Sequence, residues 1–159
     1  MENKEFDFHE IKTFEDACKH LGLNSGSLTY PAGGDRDSFL RAWYFYKLLI
    51  IKRAINDIDC NNEPLCRCHP FWQFYTAEEL EELSQSYIQT RGIRSIASYS
   101  SKLYTGISKV RSVEAPYVGT CLNMSYVYPF CFNSPEAALY VGRQFEDLFF
   151  RYYGIKLKE

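Results

Sequence analysis

At residue 95 the apolar residues of this chain change their period. Before it, Phe39, Ala42, Trp43, Tyr46, Leu49, Ile50 and Ala54 recur at helical spacing. After Pro116 the even positions Val118, Leu122, Met124, Tyr126, Tyr128, Phe130 and Phe132 are apolar, with Thr120 the exception. That two-residue repeat belongs to a strand with one buried face. A chain that keeps the two repeats in separate blocks folds as α+β. With 159 residues it has enough length for one apolar core and too little for most two-domain enzymes.

Local signals fill in the order of elements. Thr13 caps a helix over 14–21 and Gly22 stops it; 24–35 is a Gly/Pro-rich loop. Residues 36–58 are apolar around most of the circumference between 43 and 51, which predicts a central helix packed on two sides. Phe71–Tyr75 reads as a short strand. Thr76 with Glu79 opens a Glu-coated surface helix over 77–91. Ser95–Thr105 and Ile107–Glu114 flank Gly106 as a hairpin, and 118–132 forms a long strand. Ser134-Pro135-Glu136 starts a last amphipathic helix that ends at Gly154, with Gly142 inside its apolar stripe as a point of close packing. The expected architecture is a single α+β domain over 1–159: an antiparallel sheet of three to four strands packed by the central and C-terminal helices. Residues 1–10 read as a flexible tail.

No phosphate-cradling GxxxxGK, GxGxxG, HExxH or GxSxG pattern is present. The pairs Asp35/Asp37 and Asp57/Asp59 are explained as helix-end residues, and His9 and His20 as solvated groups, so no catalytic residue and no cofactor is expected. With 18 basic and 20 acidic side chains, the chain lacks the global positive field of a duplex-DNA binder. No apolar run reaches membrane-spanning length, and Met1–Glu5 lacks the apolar core of an export signal. The six cysteines therefore read as reduced thiols, with Cys18, Cys121 and Cys131 as core filler. Cys60, Cys66, Cys68 and His69 are weak candidates for zinc, because their spacing departs from the usual knuckles.

Two surface readings remain. From Arg91 to Val113 there are five basic residues (Arg91, Arg94, Lys102, Lys109 and Arg111) and no acidic one. With Tyr99 and Tyr104 interleaved, this segment suits single-stranded nucleic acid or a nucleotide. The competing view is a solvated hairpin balanced by the preceding glutamates. Separately, Tyr44, Tyr140, Phe150 and Tyr153 lie off the main helical stripes and mark a protein interface, including a homo-oligomer; the competing view is a core on both sides of each helix.

Phe14-Glu15-Asp16-Ala17-Cys18-Lys19, Tyr46-Lys47-Leu48, Pro70-Phe71-Trp72 and Ser134 through Leu148 together resemble a group of small uncharacterised proteins in phages and mobile elements of gut bacteria. The loop at 60–69 and the helix at 77–91 depart from that pattern as variants or insertions. The resemblance implies a viral-type accessory or virion-associated protein, located in the bacterial cytoplasm or the virion. It carries no activity and no site residue. The leading expectation is thus a non-enzymatic protein acting through protein contacts or self-assembly. The alternative is a binder of single-stranded nucleic acid or a small nucleotide, sequestering a host defence signal, through 91–113.

Overall fold

The computed structural model describes residues 7–28, 36–59, 68–99, 103–114 and 130–158. Its helices begin where local chemistry asks them to. Helix α1 (Phe14–His20) opens with a capping box: the Thr13 hydroxyl accepts from the Asp16 amide at 3.1 Å, and the Asp16 carboxylate accepts from the Thr13 amide at 2.9 Å. Gly22, at φ +68°, follows it in the left-handed region expected of a stop. The predicted central helix is α2 (Arg36–Asp59). It buries Leu48, Ile50, Ile51, Ala54 and Ile55 while Tyr46 stays 41% exposed.

Two expected helices are each divided. Residues 77–91 form α3 (Ala77–Glu82) and α4 (Gln85–Arg91), because Leu83 is extended and Ser84 caps a new helix by accepting from the Tyr87 amide. The C-terminal helix breaks at Phe145 into α5 (Pro135–Gln144) and α6 (Glu146–Tyr153). Ser134 caps α5, accepting from the Ala137 amide at 3.1 Å. Of the expected tail, residues 1–6 lie outside the described residues, and 8–10 form a 3-10 turn capped by Asp7.

The strands are β1 (Cys68–Phe71), β2 (Phe74–Thr76), β3 (Arg94–Ser98), β4 (Tyr104–Ile107), β5 (Arg111–Glu114) and β6 (Lys156–Leu157). They make two antiparallel sheets rather than one: β1 with β5, and β2-β4-β3-β6. Gly106 lies within β4 and not at a turn, opposite Tyr75 and Ser95. The expected long strand falls outside the described residues at 117–129. Its end is seen where Phe132 pairs with Cys68.

The result is one α+β domain. Helix α2 packs on α1 and α6, and α5 packs on β1 and β5. Phe132 and Phe149 are among the largest fully buried side chains. Cys18 and Cys68 are buried and Cys131 is half-buried. Among the described residues, no helix is long and apolar enough to cross a membrane.

Gly142 is the close contact that the stripe predicts. A Cβ there would lie 2.5 Å from Val110 Cγ2 and 2.8 Å from Pro70 Cβ. Alanine improves helix propensity by about 1 kcal/mol, but overpacking against a rigid proline costs about 1–3 kcal/mol. Gly142→Ala should therefore destabilise by about 1 kcal/mol in a denaturant titration, since neither propensity nor strain acts alone. A midpoint at or above that of the wild type would mean that α5 stands further from β1.

Candidate anion-binding site

The segment joining β4 to β5 is fixed by one buried serine. Ser108, 1% exposed, donates from its amide to the Gln73 carbonyl at 2.9 Å and accepts the Gln73 amide on its hydroxyl at 3.0 Å. Its hydroxyl also donates to the Lys109 carbonyl at 3.0 Å. The next amide, Lys109, donates to the Arg91 carbonyl at 3.2 Å, at the end of α4. Gly92 follows at φ +55°, and the Lys109 stem lies across it: a Cβ there would meet Lys109 Cδ at 3.1 Å. These contacts bring Lys109 beside Arg91. On β5, Arg111 donates from Nη2 to Gln73 Oε1 at 3.1 Å.

Arg91, Lys109 and Arg111 thereby line one cleft of about 480 Å³ together with Ser84, Ser86, Tyr87 and Thr90. None of these lining residues is acidic. Three cations and four hydroxyl-bearing side chains in one concavity present the kind of donors that phosphate oxygens accept from. The Arg91 guanidinium lies 5.2 Å from the Tyr87 ring centre. Behind the cleft, Tyr75 is buried. Desolvation pushes its phenol above the ordinary value; the nearby Tyr87 hydroxyl, outside strict hydrogen-bond geometry, adds to this, while Arg91 and Arg111 pull the other way. The Arg111 Nε is a second buried polar atom with no partner here.

The structure separates Arg94, Tyr99 and Tyr104 from this cleft. Arg94 is spent on Glu146 in a two-pronged ion pair, Nη1 to Oε2 at 2.7 Å and Nη2 to Oε1 at 2.8 Å. Tyr99 and Tyr104 pack on Phe74, with ring centres 5.0 and 5.4 Å away. Lys102 lies outside the described residues. Ser84, Ser86, Tyr87 and Thr90 are the missed half of the site, since the glutamates before them read as an inert face. The serine spacing that caps α4 was the available signal.

The expected interface set does not hold together as one exposed surface. Phe150 is 7% exposed, its ring 5.8 Å from that of Trp72 and under the Arg94 guanidinium. Tyr140 is half-buried, and its hydroxyl donates to the Ile11 carbonyl at 2.9 Å. Tyr44 accepts from Arg151 Nη1 at 3.2 Å. Tyr153 keeps 39% exposure. Of the zinc candidates, Cys60 and Cys66 lie outside the described residues. Cys68 and His69 are successive buried residues of β1, so their side chains point to opposite faces. Among the described residues no group of three His, Cys, Asp or Glu side chains comes together as a metal site.

No family model, curated protein or solved structure matches this chain. The functional reading therefore rests on the geometry above.

Proposed function

We propose that this protein is a non-catalytic binder of phosphate-bearing ligands, single-stranded nucleic acid or a nucleotide, held at the Arg91–Lys109–Arg111 cleft. The observation that carries this reading is the convergence of three cations, from α4, the β4–β5 segment and β5, on one concavity without an acidic wall. At about 480 Å³ the cleft falls in the range of roughly 300–1,000 Å³ typical of ligand sites. In the phage-like setting that the resemblance implies, such binding would sequester a host signalling nucleotide. The test is the anisotropy of a fluorescent ten-nucleotide strand at 50 and 200 mM salt. Three released counterions give a log–log slope of about −2, or a roughly 20-fold loss of affinity. Salt-independent binding of the strand, or failure of both the strand and adenosine triphosphate to bind, would remove the reading.

A second reading is protein interaction, including self-assembly. It is favoured by Tyr46, which is 41% exposed and stacked 5.9 Å from Trp43 on the same face of α2. A mass above 18.6 kDa on a sizing column that falls on Tyr46→Ser would support it, and an unchanged monomer would count against it.

A further inference from the structure

A second concavity opens beside the cationic cleft. It holds about 250 Å³, and its walls are nearly all rings: His69, Phe71, Trp72, Phe74, Tyr99 and Tyr153. Phe74 and Tyr99 stack on each other at 5.0 Å and 16°. Phe71 and Tyr153, at 36% and 39% exposure, form the open side. Burial pushes the His69 imidazole below its ordinary value, so this wall is uncharged at neutral pH. Burial, with Tyr152 and Tyr99 nearby, pushes the Tyr153 phenol up to about 12, which keeps it a hydroxyl donor.

The two concavities meet at one pair. Phe71 and Arg111 are directly opposed in the β1–β5 register, and the Arg111 guanidinium lies 5.7 Å from the Phe71 ring centre. Arg111 therefore lines the cationic cleft while its guanidinium lies against Phe71, a wall of the aromatic slot. The slot is smaller than the roughly 300–1,000 Å³ clefts that hold whole drug-sized ligands, so it takes one flat ring system. A ring seated there is one residue, Arg111, away from the cationic cleft, so a ring that carries phosphate reaches both.

We propose that this slot takes the nucleobase of the ligand whose phosphates occupy the cationic cleft, with Phe71 and Arg111 as the seam of one composite site. The inference rests on the reading of that cleft as a phosphate site, and it adds the base as the second element recognised. Stacking of a base on protein rings is sequence-tolerant, since every base offers a π-face.

The test compares adenosine triphosphate with inorganic tripolyphosphate in magnesium-free buffer, by calorimetry, in wild type and Phe71→Ala. The expected result is that the nucleotide binds roughly tenfold more tightly than tripolyphosphate, and that Phe71→Ala removes this advantage by lowering nucleotide affinity far more than tripolyphosphate affinity. Equal affinities for the two probes, or a nucleotide preference indifferent to Phe71, would overturn the slot and leave the phosphate cleft standing. Failure of both probes to bind would overturn the cleft and the slot together. A ten-nucleotide oligoadenylate run alongside tells the sources apart: tighter binding than the mononucleotide points to a strand, weaker binding to a free nucleotide, and both use the slot. Should Phe71→Ala fail to fold, Trp72 supplies the second readout in a Trp43→Phe background. Its emission should be quenched on saturation with the nucleotide but not with tripolyphosphate. Unchanged emission would overturn the proposal.

Discussion

Replacing Glu146 with alanine is expected to cost about 2–3 kcal/mol of stability and to lower the thermal midpoint by roughly 5–10 °C. One carboxylate accepts three hydrogen bonds: two from Arg94, and one from Trp72 Nε1 at 3.0 Å. Trp72 is 7% exposed and packs on Phe149 with ring centres 5.1 Å apart. Its indole N–H would lose its acceptor with little access to water. The Arg94 side chain keeps 36% exposure, so water recovers part of its loss, and the cost stays below the about 3–5 kcal/mol of a fully buried broken pair. Glu146→Gln keeps an acceptor for Trp72 and removes the charge, so it should cost less than half as much. A calorimetric scan of both variants checks this. If alanine cost under 1 kcal/mol, the pair would be an ordinary surface bridge, and the break at Phe145 would need another cause.

Charge reversal of Arg91 and Lys109 together should weaken the binding of a single-stranded oligonucleotide on the order of 100-fold at 50 mM salt. Each substitution removes one phosphate contact and places a carboxylate where none stands. Lys109 is exposed and Arg91 half-buried at the end of α4, so the thermal midpoint should stay within a few degrees of wild type. Arg111 is less suited to this experiment, because it also holds Gln73 Oε1. Titration at several salt concentrations should show the slope falling from about −2 toward −1. Binding unchanged in the double variant would assign the affinity to another surface.

What was legible in the sequence was what is decided within a few residues. The Thr13, Thr76 and Ser134 caps are contacts between positions three apart, and α2 shows its buried face as a repeat of 3.6. Partners far along the chain were not legible. The break between α5 and α6 coincides with Glu146 reaching Trp72, 74 positions away, and Arg94, 52 away. That same contact removes Arg94 from a set of cations that looked alike in the sequence. Gly106 looked like a turn residue, but it is needed inside β4 because Leu80 lies over it: a Cβ would meet Leu80 Cδ1 at 2.8 Å. The acid-free run from 91 to 113 did point to Arg91, Lys109 and Arg111. Their convergence depends on Ser108 and Gln73, a hydrogen-bonded pair 35 positions apart that no local pattern marks.

The aromatics divide in the same way. Positions off the helical stripes read as exposed surface, whereas much of the ring area closes on itself. Phe130 sits 5.3 Å from Phe149 and 5.4 Å from Phe45, all edge to face. Only a tertiary structure distinguishes such a ring from Phe71 or Tyr153, which wall an open slot.

The most direct test of the central claim is a two-dimensional amide NMR titration of the labelled protein with a ten-nucleotide single strand at low salt. The account predicts that the shifts concentrate on the amides of 84–91 and 109–111, with Phe71 and Tyr99 following. Shifts confined to the Trp43–Lys47 face of α2, or no shifts at saturating strand, would contradict it.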